Sequence, residues 1–111
     1  MTDRIFGSIG LANKAGLAAA GAFASKRAIL EDKAELVIIA ADAAESTKVR
    51  FCRLSKSRGI EVRVFGLSDI LGHYCGKGNI AVLVIKDDGF ARKLVKSIDD
   101  STGINGGGLI G

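Results

Sequence analysis

Two stretches of this 111-residue chain, 36–41 (LVIIAA) and 80–85 (IAVLVI), contain no polar side chain. A strand that reads apolar without alternation has both faces covered, as happens inside a sheet flanked by helices. The chain is therefore α/β, with these two runs as interior strands. Each is strand-sized, and no run is long enough to span a membrane.

The rest of the pattern fits around them. Thr2 or Asp3 can cap a first helix through Ile5, Phe6, Ile9 and Leu11 to about Lys14, which Gly16 stops. A short strand follows at 17–20. A second helix at 22–31 offers Phe23, Ala28, Ile29 and Leu30 as candidate core positions and leads into the strand at 35–41. A third helix at 46–58 ends at Gly59, and an alternating strand follows at 60–65. A short helix at 68–75, with Ser68 as its cap, precedes a loop of Gly76, Lys77, Gly78 and Asn79. After the strand at 80–85, Asp87 or Asp88 can cap a last helix through Phe90, Leu94, Val95 and Ile98. The expectation is a single domain over 1–100, with 101–111 as a flexible glycine-rich tail. A chain of this size buries roughly 60–70% of its unfolded surface and needs no covalent staple.

Charge is placed unevenly. The net charge is +4, with ten Lys and Arg against six acids in residues 1–58 and six against six afterwards. A one-sided positive field fits a polyanion partner, and it also fits a solvated helix face. Lys48, Arg50, Arg53, Lys56 and Arg58 carry most of the excess. The amino end lacks the long apolar core of a signal peptide, so the expected compartment is the cytoplasm. Cys52 and Cys75 form no CxxC and read as small buried or half-buried thiols.

Catalytic constellations are lacking. His73 is the single histidine, at a helix end where capping or exposure explains it. The glycines of GSIGLANKAG have no preceding strand, as a dinucleotide fingerprint requires. Asp42 with Glu45, and Asp87 with Asp88, sit at helix starts, where the helix dipole accounts for them. No enzyme is expected, and no cofactor or metal. A binding edge is easier to find: Gly21 lets the backbone come close to a partner, and Lys26 and Arg27 follow within the first two turns, near the free amides.

The order IGLANKAG from Ile9, a glycine-to-basic spacing from Gly21 to Arg27, AELVIIAADAAE from Ala34, and LGHYCGK from Leu71 resembles the ribosomal kink-turn RNA-binding family of the L-seven-Ae and L-thirty-e proteins. It is most similar to that family's bacterial YlxQ branch, over about residues 3–98. The resemblance implies a three-layer α-β-α sandwich around a mixed, four-stranded sheet. It also implies binding of kinked or internally looped RNA, with ribosomal RNA among the candidates, and the protein is expected to be a monomer. Carried over by position, Gly21 and Ala22 would offer backbone amides, Lys26 and Arg27 would hold phosphates, and Lys77, Gly78, Asn79 and Ile80 would close over an unstacked nucleotide. Where archaeal members carry Asn-Glu to read sheared G·A pairs, this chain has Phe23 and Ala24, which offer no side-chain hydrogen bond. Ala44 and Ser68 also replace polar or basic residues of some relatives. Recognition by shape, phosphate and stacking remains, with Phe23 open to two readings, core residue or stacking surface. The rival function is a protein-interaction module that kept the fold after losing its RNA contacts. A weaker one is a recognition domain of an RNA-modifying assembly.

Overall fold

The sheet is built outward from its two apolar strands. In the computed structural model, which describes residues 2–102, β2 (Leu36–Ile39) and β4 (Val82–Ile85) are buried throughout and lie side by side, antiparallel, with Val37 opposite Val84 and Ile38 opposite Leu83. The edges are β1 (Ala18–Ala20), antiparallel to β4, and β3 (Glu61–Val64), parallel to β2, giving the order β1-β4-β2-β3. Because successive side chains alternate in direction, each inner strand feeds two cores. Leu36, Ile38, Leu83 and Ile85 meet Ile5, Phe6, Ile9, Leu71, Leu94 and Ile98 from α1 (Thr2–Lys14), α4 (Ser68–Tyr74) and α5 (Asp88–Thr102). Val37, Ile39, Val82 and Val84 meet Ala28, Ile29 and Phe51 from α2 (Ala22–Leu30) and α3 (Glu45–Ser57). This is the α-β-α sandwich with a mixed four-stranded sheet. At about 1.5–3 kcal/mol for each large apolar side chain withdrawn from water, the two cores dominate its stability.

Several boundaries shift. The last strand begins at Val82 and not at 80, and the Ala40 N–H, just beyond β2, donates to the Ala81 carbonyl at 2.8 Å outside the ladder. Thr2 and Asp3 lie inside α1, and Asp87 caps α5 by accepting the Phe90 N–H at 2.9 Å. Leu30, a candidate core position, is 46% exposed. Ser101 and Thr102 belong to α5, and the rest of the expected tail falls outside the described residues.

The edge strand β3 is tied down by charge. Arg63 donates to both carboxylate oxygens of Asp99 on α5, at 2.7 and 2.9 Å, and to Glu61 at 2.8 Å. Asp99 is buried, so the bidentate partner is what makes its burial tolerable, and its hydrogen bonds raise the Arg63 pKa further. A charged residue at this position also discourages edge-to-edge pairing.

Ser68 does not cap α4 as its sequence position suggests. The N-cap position is Leu67, and the cap comes from Asp42 in the β2–α3 turn, which accepts the Ser68 N–H at 2.9 Å and its hydroxyl at 3.0 Å. These hydrogen bonds, the backbone one first, hold the Asp42 carboxyl below its ordinary pKa. A depressed carboxyl contributes stability above its unfolded pKa, and this is lost as pH falls through the lower folded value. Asp42→Ala is therefore expected to melt roughly 3–6 °C below the wild type at neutral pH. The gap should close as pH drops below the ordinary Asp range. Melting curves across pH check this; a gap that stays constant into strong acid would mean that Asp42 acts through something other than its charged cap.

Candidate nucleic-acid interface

Strands β1, β2 and β3 all end, and β4 begins, at one end of the sheet. The Gly21 N–H donates to the Val82 carbonyl at 2.9 Å, Ala40 to Ala81 at 2.8 Å, and Ala41 to Gly66 at 2.7 Å. Since β4 lies between β1 and β2, the loop before it emerges between the start of α2 and the β2–α3 turn. Helices α2, α3 and α4 each follow one of these strand ends, so their positive amino termini share this end of the molecule.

Gly21 occupies φ 99°, ψ 161°, a region open in practice to glycine alone. A Cβ there would meet nothing within 4 Å, so conformation and not crowding demands the glycine. Its carbonyl accepts the Ser25 N–H at 2.9 Å, which starts α2, and no side chain caps the helix. The amides of Ala22, Phe23 and Ala24 thus have no intrahelical acceptor and face the open end.

Helical rotation decides the rest. Ser25, Ala28 and Ile29 face the sheet, the Ser25 hydroxyl donating to the Ala19 carbonyl at 3.3 Å. That turns Ala22, Phe23, Lys26 and Arg27 outward, with Phe23 82% exposed. The core reading of Phe23 is thereby removed. Lys26 has no ion pair among the described residues. Arg27 lies further along, and its Nε bonds Glu31 at 3.1 Å, which directs it toward the carboxyl end of α2 and holds the exposed Glu31 carboxyl below its usual pKa.

In the loop, the backbone is fixed while the side chains are free. The Lys77 N–H donates to the Gly72 carbonyl at 2.7 Å and the Ile80 N–H to the Ser68 carbonyl at 3.1 Å. Lys77, Gly78 and Asn79 are exposed, whereas Ile80 is buried in the core, so its side chain has no surface to offer. The structure thus gathers Gly21, Ala22, Phe23, Lys26, Lys77, Gly78 and Asn79 at one end, sets Arg27 to the side and removes the Ile80 side chain. It adds Asp42 in the β2–α3 turn and Lys48 in the first turn of α3, which sequence reasoning did not include in the site. The electrostatic influence of Lys48 on Asp42 arises only from the folded turn.

Other chemistry is not assembled nearby. Among the described residues no group of His, Cys, Asp or Glu gathers as metal ligands, and no helix is long and apolar enough to cross a membrane. His73 is exposed and meets Tyr74 edge-on at 5.2 Å. Cys52 is half-buried, and Cys75 is buried, which pushes its thiol pKa up.

A three-layer sandwich gathers at its strand ends three helix starts, two of them without a side-chain cap, an exposed aromatic ring, and two lysines with no ion pair among the described residues. The chain belongs to the ribosomal protein L7Ae/L30e/S12e/Gadd45 family, whose model matches residues 3–95. It is similar to a Bacillus halodurans protein of unknown function, at 34% identity and a TM-score of 0.81 over 86% of this chain and 96% of that one. The Giardia lamblia 15.5kD RNA binding protein shares the fold, at 21% identity and a TM-score of 0.74 over 89% of this chain and 88% of that one. No curated protein matches the chain.

Proposed function

We propose that this protein binds RNA without catalysing a reaction, in the cytoplasm, and that its target is a kinked or internally looped RNA recognised by shape, phosphate contact and stacking. Membership of a family that includes ribosomal proteins supports the class of partner, as does the fold shared with the Giardia RNA binding protein. The observation that carries the reading is Phe23, 82% exposed on the first turn of α2, two positions beyond a glycine-only cap. A phenyl ring left in water at the positive end of a helix suits an extruded base, because stacking is worth roughly 1–3 kcal/mol per base and any base offers a π-face. The amides of Ala22 to Ala24 and the ammonium groups of Lys26 and Lys77 would take the flanking phosphates. Arg27 would join them by giving up its contact with Glu31.

Gel-shift titration on a kink-turn RNA and on a straight duplex tests this. The kinked RNA is expected to bind more tightly, and Phe23→Ala to weaken it roughly 5- to 100-fold, the affinity equivalent of one lost stack. Lys26→Glu and Lys77→Glu should weaken it as well. With about three to four phosphates neutralised, log K is expected to fall by roughly two to three per decade of salt. Affinity indifferent to salt and to kinking would reject the reading in favour of a protein-interaction module.

A further inference from the structure

Some cations on the other helices are neutralised by their own neighbours, while Arg4, Lys14, Lys26 and Lys93 have no ion pair among the described residues. On α5, Arg92 pairs with Asp88 at 2.8 Å and Lys96 with Asp100 at 3.2 Å, and on α2 Arg27 pairs with Glu31. Helix α3 differs. It carries Lys48, Arg50, Arg53 and Lys56 against the single acid Glu45 in its first turn. Arg50, Arg53 and Lys56 are exposed and have no ion pair among the described residues.

These charges are also ordered. Phe51 and Ser55 face the core, so the opposite line of the helix is Ser46, Arg50, Arg53 and Ser57, two guanidinium groups between two hydroxyls. The Arg50 guanidinium carbon sits 5.2 Å from the centre of the Phe51 ring. The line borders an open hollow of about 640 Å³ flanked by Val49 and Leu54, with the acid Glu45 also in its lining.

Its direction matters as much as its charge. Helices α2 and α3 both start at the strand ends that hold the candidate interface. They also end together, since Arg58 just beyond α3 donates to the carbonyls of Ile29 and Leu30 and to Asp32. Thirteen residues of α3 therefore lead away from that interface for roughly 20 Å.

We infer that the outer face of α3 is a second contact surface, which holds the phosphate backbone of a duplex stem leaving the kinked RNA at the end of the sheet. The inference rests on the RNA-binding reading and extends it to the flanking helix. Guanidinium and hydroxyl donors spaced along one line suit successive phosphates, which fix position and carry no sequence information.

The test uses the full chain, a double variant Arg50→Glu/Arg53→Glu, and one kinked RNA with its stem either a full helical turn long or trimmed to the shortest stable length. Wild-type affinity is expected to fall at least about tenfold on trimming, and the double variant to bind the long-stem RNA no better than the trimmed one. Its log K against log salt should be shallower by roughly two, one phosphate for each lost arginine. Arg50→Gln/Arg53→Gln should show the same pattern in weaker form, and both variants should melt with the wild type because the side chains are exposed. Three results would overturn the inference: a variant that keeps the stem-length dependence, equal loss on both RNAs, or unchanged RNA binding with loss of binding to an acidic peptide. Failure of the underlying reading looks different. If wild type does not prefer kinked over straight RNA, the sheet-end site fails, while loss of long-duplex binding in the double variant still upholds the α3 surface.

Discussion

Ile38→Asp is expected to unfold the domain. Ile38 is fully buried in an inner strand, opposite Leu83 on one side and Arg63 on the other. An unpaired carboxylate there costs several kcal/mol, against a total stability of about 5–15 kcal/mol for a domain of this kind. The one cation beside it, Arg63, is already shared between Asp99 and Glu61. Drawing Arg63 toward position 38 would break its two hydrogen bonds to the buried Asp99, so the penalty is moved and not removed. Ile38→Val, by contrast, should cost only about 0.5–1.5 kcal/mol. Circular dichroism and thermal melting distinguish the two. A soluble Ile38→Asp variant with cooperative, unchanged melting would mean that β2 is not the interior strand of this sheet.

The two inner strands were legible because their apolar runs admit one environment, and the helices around them because apolar periodicity marks their inner faces and glycines mark several of their ends. What the sequence left open were matters of direction and distance. Phe23 has the composition of a core residue, and only the rotation that turns Ser25 toward the Ala19 carbonyl sends the ring outward. A buried serine at that position is invisible to hydrophobic periodicity, since its burial depends on a partner six residues back. The same limit explains α4. Ser68 has the identity of a cap, but the capping carboxylate comes from Asp42, 26 residues earlier, through the fold. Ile80 extends an apolar run and so reads as strand, yet the ladder begins two residues later and its side chain fills the core. In the candidate interface, the joining of the α2 start to the loop before β4 follows from the strand order. The sideways course of Arg27 follows from its local partner Glu31, a pairing that an i,i+4 scan of the helix would have found.

An added methyl group at Gly72 is expected to displace the loop before β4. This residue lies inside α4, where glycine costs helix stability and alanine would ordinarily gain about 1 kcal/mol. Here, the chain leaving α4 doubles back over the helix: Gly76 turns at φ 71°, the Lys77 N–H binds the Gly72 carbonyl, and Ile80 returns to the Ser68 carbonyl. A Cβ at position 72 would collide with the carbonyl group of Gly78 and lie 3.0 Å from the Asn79 Cα. The obstacle is backbone, so no rotamer change relieves it, and the loop must lift off the helix. Overpacking of this kind costs roughly 1–3 kcal/mol, which offsets or exceeds the gain in helix propensity. Gly72→Ala is therefore expected to lower the melting temperature or leave it level despite the better helix former, and to displace residues 76–80. If those residues hold RNA, affinity for the kinked target should fall about tenfold or more while the amides of Gly21 to Lys26 keep their chemical shifts. Hydrogen exchange of the Lys77 and Ile80 amides reports the displacement directly. Unchanged protection there, with a raised melting temperature, would show that the loop does not rest on Gly72 and would remove the structural link between α4 and the binding edge.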